Sequence, residues 1–227
     1  MDAALPPLNA FELRVLGSLL EKAVTTPDYY PLTLNSLTLA CNQISNRDPV
    51  VAFDEPTVVR ALDSLRDKRL ASVFTGAESR VAKYKHNFIE WLQLTPAEVG
   101  LLCVLMLRGP QTLAELRTRT ERFEPFETLT EVEEALQVLA TRTPQPLVIK
   151  LPRLPGTKEP RYAHLLSGPI DVAALTASSS MPPLEPATLT VRLENDRIAK
   201  LEAETTALRS ELAELRQQFA DFRKQFE

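Results

Sequence analysis

The chain has 227 residues, 44% of them hydrophobic, a net charge of −4 and a mean hydropathy of −0.12. That is enough chain for one large or two small domains, with the balance of an ordinary globular protein. It argues against a strongly cationic nucleic-acid binder and a membrane span, and two cysteines, Cys41 and Cys103, are too few for a disulfide scaffold. Each cysteine is expected to be a small buried hydrophobe. The N-terminus lacks the basic-then-apolar layout of a secretion signal, so a cytoplasmic location with no membrane partner is expected.

The first predicted helix starts at Leu8-Asn9-Ala10-Phe11-Glu12-Leu13, where Asn9 stands three residues before Glu12, the spacing of a capping box. Val15, Leu16, Leu19 and Leu20 continue it as an apolar helix. A second helix begins at Thr33-Leu34-Asn35-Ser36-Leu37, and a third runs through Val58, Leu62 and Leu65, which share one face. Leu70 to Phe74 and Val81 to Phe88 read as strands around a turn-rich tip. From Leu94 the series begins again. Thr95 and Glu98 repeat the capping box, followed by Leu101, Leu102, Leu105 and Met106. A helix starts at Thr112-Leu113, another carries Val132, Leu136 and Leu139, and strands follow at Leu147 to Leu151 and Arg161 to Leu166.

Three helices and a β-hairpin in about 70–80 residues make a helix-turn-helix unit carrying a wing. The expected fold is therefore mainly α with small β-hairpins, an α+β chain of two tandem winged-helix domains. Their expected limits are residues 1–89 and 90–167. Residues 168–189, with Ser178-Ser179-Ser180 and Pro182-Pro183, have the composition of a linker.

Residues 190–227 change to heptads and are expected to form a coiled coil. Ile198, Leu201, Leu208, Leu212, Leu215, Phe219 and Phe222 occupy the seam as the candidate dimerisation residues. In a parallel pair the flanking positions match Arg197 with Glu202, Glu204 with Arg209 and Glu211 with Arg216, all of opposite sign. The expected partner is a second copy of the chain. The alternative is an amphipathic helix packing on its own protein.

Several stretches resemble the YceH family of uncharacterised bacterial tandem winged-helix proteins. They include Tyr30-Pro31-Leu32-Thr33-Leu34-Asn35-Ser36-Leu37, Ser45-Asn46-Arg47-Asp48-Pro49-Val50, Leu107-Arg108-Gly109-Pro110-Gln111-Thr112 and Arg161-Tyr162-Ala163-His164-Leu165-Leu166. The resemblance covers about residues 8–168 and implies the fold. It assigns no activity.

No catalytic constellation, metal site or cofactor motif is expected. His86 and His164 recur at one repeat position, [Lys/Arg]-Tyr-x-His, which points to packing on the buried side of a strand. Arg47 lies in a polar loop, where it is either a phosphate or partner contact or part of a local turn. The segment from Arg60 to His86 holds seven basic residues against three acidic ones. With Val58, Leu62 and Leu65 in the core, Thr57, Arg60 and Ser64 turn outward, and Lys83 and Lys85 alternate outward on the wing. These five are the candidate DNA-binding residues. The third helix of the second unit carries Glu131, Glu133 and Glu134, which a duplex would repel, so a protein-facing role is expected there. The expectation is a dimeric, non-enzymatic DNA-binding transcriptional regulator, with double-stranded DNA as its partner. The alternative is a protein-interaction adaptor that has kept the winged-helix fold.

Overall fold

The computed structural model describes residues 5–74, 81–153 and 157–171, together with Thr205. The first repeat runs α1 (Ala10–Thr25), β1 (Leu32–Thr33), α2 (Leu34–Cys41), α3 (Glu55–Asp67), β2 (Ala71–Phe74) and β3 (Lys83–His86). A short helix, α4 (Phe88–Leu92), leads to the second repeat. That consists of α5 (Pro96–Arg108), α6 (Leu113–Thr120), α7 (Leu129–Ala140), β4 (Val148–Lys150) and β5 (Tyr162–His164). The fold is mixed α+β with small antiparallel sheets, as expected. No helix among the described residues is long and apolar enough to cross a membrane.

Local chemistry sets the helix starts. Asn9 Oδ1 accepts from the Glu12 amide while the Glu12 carboxylate accepts from the Asn9 amide, at 2.9 and 2.7 Å. Thr95 with Glu98 and Thr112 with Glu115 close the same reciprocal box on α5 and α6. Each box satisfies donors that the first helical turn leaves without partners.

In the first sheet the strand order is β1-β3-β2, with Leu32 opposite Tyr84 and Ala71 opposite His86. The second sheet repeats this with its first strand reduced to one bridge. Gln111 pairs with Tyr162, the counterpart of Tyr84, beside the β4–β5 ladder. The expected strand from Val81 to Phe88, along which Tyr84, His86 and Phe88 alternate, needs one correction. The strand ends at His86, and Phe88, fully buried, enters the core from α4. Phe88, Trp91 and Leu92 recur at i, i+3 and i+4, a helical period that the shorter alternation masked.

The two repeats share one hydrophobic cluster that includes Leu16, Leu19, Leu62, Phe88, Leu102, Leu105 and Leu136. Helices α1 and α5 lie at its centre. Each has an unbroken run of ten buried residues, Glu12 to Glu21 and Glu98 to Leu107, so neither has a face left for solvent. Gly17 permits their approach: a Cβ there would lie 2.9 Å from Leu107 Cδ2, and the Cys103 thiol sits 3.5 Å from the Gly17 carbonyl oxygen. Two backbone bonds also tie the repeats, Leu8 amide to Leu166 carbonyl at 2.7 Å and Asp48 amide to Leu107 carbonyl at 2.9 Å. By contacts the chain divides into Met1–Thr176 and Ala177–Glu227. Thr205, which is helical, is the described residue of the second part. The heptad seam from Ile198 to Phe222 thus lies outside the described residues.

Candidate functional site

On α3 the N-cap Asp54 accepts from the Thr57 amide at 3.0 Å and thereby sets where the helix begins. Val58, Leu62 and Leu65 are buried, which turns Arg60, Asp63, Arg66 and Asp67 to solvent. Arg60 folds back along the helix, its guanidinium donating to Thr57 Oγ1 at 2.9 Å. Arg66 pairs with Asp63 at 3.0 Å.

Ser64 is half-buried and does not share this outward surface. Its hydroxyl donates to Glu12 Oε1 at 2.5 Å, and Lys68 donates to both oxygens of the same carboxylate at 2.7 Å. Burial raises the Glu12 pKa, but its bonds from Lys68, Ser64 and the Asn9 amide outweigh that and hold the carboxyl below its usual range. Lys68 and Ser64 therefore serve the α1–α3 contact.

Lys83 and Lys85 lie on the same side of β3, opposite the side carrying Tyr84 and His86. The register sets Lys83 across from Thr33, the N-cap of α2, and Lys85 across from Ser72. The candidate residues thus fall into two pairs, Thr57 with Arg60 on α3 and Lys83 with Lys85 on the sheet.

Arg47 is buried, which decides between its two readings. Its guanidinium donates to Glu21 Oε2 at 2.6 Å, to the Ala40 carbonyl at 2.8 Å and to Gln43 Oε1 at 3.2 Å. Asn46 before it adopts φ 59°, a left-handed turn conformation that asparagine tolerates well. The loop is a structural turn, and its arginine is held inside by a carboxylate 26 residues away.

The two histidines behave as packed residues. Burial lowers the pKa of both, that of His164 to about 4, and among the described residues neither Nδ1 has a hydrogen-bond partner. The His86 amide donates to the Tyr30 hydroxyl at 2.7 Å. Both cysteines are buried and free, and burial raises the Cys41 pKa to about 11. Among the described residues, no group of three or more His, Cys, Asp or Glu side chains is placed to hold a metal ion.

Carboxylates stand on the outer faces of both third helices. Glu55, Asp63 and Asp67 stand exposed on α3 with Arg60 and Arg66, and Glu133 and Glu134 stand exposed on α7. Glu133 holds Lys150 at 3.0 Å and accepts from the Tyr162 hydroxyl at 3.2 Å, so the nearest wing cation is already engaged. Leu39 on α2 and Ile44 and Val50 in the α2–α3 connection are 63, 83 and 53% exposed. Sequence periodicity missed this apolar trio because it looks for buried faces.

A family model described as "Protein of unknown function, DUF480" matches residues 8–157. The chain is 54% identical over 208 residues to a UPF0502 protein of Opitutus terrae, covering 92% of this chain and 86% of that protein. It is 56% identical over 201 residues to one of Geobacter sulfurreducens, covering 88 and 90%. Against one of Vibrio vulnificus the identity is 47% over 206 residues, covering 89 and 92%.

Proposed function

The chain belongs to the DUF480 family of proteins of unknown function, and we propose that it is a non-enzymatic, cytoplasmic interaction adaptor. In this reading each repeat is a winged-helix unit of the YceH type. The pairs α2–α3 and α6–α7 are its helix-turn-helix, and the β2–β3 and β4–β5 hairpins are its wings. The observation that carries the adaptor reading is the carboxylate content of both outer helix faces. A groove-reading helix approaches a dense array of phosphates, and Glu55, Asp63, Asp67, Glu133 and Glu134 oppose that approach. Exposed Leu39, Ile44 and Val50 beside acidic α3 suit a protein surface that is apolar with a basic rim.

Double-stranded DNA is the second reading, and the paired Lys83 and Lys85 favour it. A titration of labelled duplex at several salt concentrations separates the two. The adaptor reading expects no binding that steepens as salt falls. If binding does steepen, and replacing Lys83 and Lys85 by Gln flattens the slope by about one unit per lysine, DNA is the partner. If the protein binds no duplex, reversing Glu133 and Glu134 to Lys should release a co-purifying protein partner.

Self-association through residues 190–227 belongs to the same proposal, carried by the opposite-sign flanking pairs of the heptads. Sedimentation velocity of the full chain should report a dimer, and removal of everything after Gly168 should leave mainly monomer. A truncated protein that stays as dimeric as the full chain would place the interface elsewhere.

A further inference from the structure

Where the two repeats meet, three arginines surround a narrow crevice. Arg108 ends α5, Arg119 lies on the last turn of α6, and Arg122 follows that helix. Glu21 of α1, Asn46 of the α2–α3 turn, and Cys103, Leu107 and Phe123 complete the walls. The free volume is about 10 Å3, room for roughly one water-sized atom.

Cations outnumber their partners at this crevice. Glu21 is shared by buried Arg47 and by Arg122, whose side chain is 44% exposed. Arg119 lies 3.6 Å from Glu115. Arg108 donates to the neutral Asn46 Oδ1 at 3.0 Å and, among the described residues, forms no ion pair. Asp48 is close enough to favour its charged form but sits outside ion-pair distance. Counting Arg47 behind the crevice, four guanidiniums share three nearby carboxylates, Glu21, Glu115 and Asp48, and the first two are already engaged. Burial, then the charges of Arg119 and Arg122, hold Arg108 below the usual arginine range.

We propose that this crevice is an oxyanion site for a phosphate-class ligand. One ligand oxygen enters the crevice, and the others lie outside it among the guanidiniums of Arg108, Arg119 and Arg122. Planar guanidinium forks match tetrahedral oxyanions, and the partly exposed Arg119 and Arg122 leave room for the bulk of the ligand. Bound there, the anion would touch the Asn46 turn of the first repeat and α5 and α6 of the second, so its occupancy would stiffen their junction.

The probe is inorganic phosphate, added to the full-length protein at constant ionic strength with chloride as the balancing anion. Phosphate should raise the melting temperature saturably, and acetate should not. Replacing Arg108 by Gln should weaken phosphate affinity by about tenfold or more, as expected when a charge-assisted bond to an ion is lost. Arg119→Gln, on α6 and outside the α1–α5 contact, gives the same readout if Arg108→Gln impairs folding. A short DNA duplex that binds with the same Arg108 and Arg119 dependence would identify a phosphodiester as the source. Insensitivity to duplex would identify free phosphate or a monoester. No saturable shift in the wild type, or an unchanged shift in both variants, overturns the site.

Discussion

Replacing Glu21 by Ala should destabilise the protein by about 3–5 kcal/mol, because it leaves a buried arginine charge without its counter-charge. The Arg47 side chain is fully buried and that of Glu21 is 1% exposed, so water cannot take the place of either. Arg47 would keep its bonds to the Ala40 and Asn46 carbonyls, which satisfy protons but do not neutralise the charge. A loss of this size is a large part of the 5–15 kcal/mol that typically holds a domain folded. Urea unfolding with fitted slopes gives the measurement. Replacing Glu21 and Arg47 together by Leu and Met should recover much of the loss, since a well-packed apolar pair avoids the desolvation that ions suffer. If the single substitution shifts stability by less than about 1 kcal/mol, the ion pair does not anchor the turn.

Stability should also fall as the pH is lowered from 6.5 towards 4, through the histidines. His164 has its pKa lowered from 6.5 to about 4 by burial. Between those values the unfolded chain binds a proton that the folded chain refuses, so protonation favours unfolding. The contribution is therefore complete above pH 6.5 and is lost as the pH drops towards 4, where it amounts to about 3 kcal/mol. His86 shifts in the same direction and adds to the decline. Glu12 is lowered from the carboxylate range, so its own loss comes at more acidic pH and extends the decline downward. Urea midpoints at pH 7, 6 and 5 should descend, and His164→Gln should flatten the upper part of that slope. A wild-type profile that is level between pH 7 and 5 would show that burial does not keep His164 neutral.

What could be read from the sequence was mostly local. The boxes at Asn9 and Thr95 each involve residues three apart, so composition and spacing reveal them before any tertiary contact is known. The faces of α3 and α7 follow from a helical period that the core enforces. The strand β1 is two residues long and Gln111 forms a single bridge, both too short to leave a pattern. From the sequence Arg47 stays undecided between two readings, and Ser64 is placed on the wrong face, for another reason. A polar residue in a loop or on a helix flank reads as exposed unless its partner is known. Those partners, Glu21 and Glu12, lie 26 and 52 positions away. The same holds for Arg108, Arg119 and Arg122, which ordinary charge counting scatters over a neutral segment and folding brings around one crevice.

The absence of a side chain at Gly17 also limits how this architecture can be divided. Helices α1 and α5 pass so closely that each serves as part of the other repeat's interior, and Leu107 occupies the space a larger residue at 17 would need. A half-molecule ending near Gln93 would therefore expose part of a helix that is enclosed on every side in the intact chain, and its complement would do the same. Although the chain is written twice in sequence, neither copy is portable. An exchange of one half between relatives must carry the matching surface of the other with it, so the heritable module here is the pair.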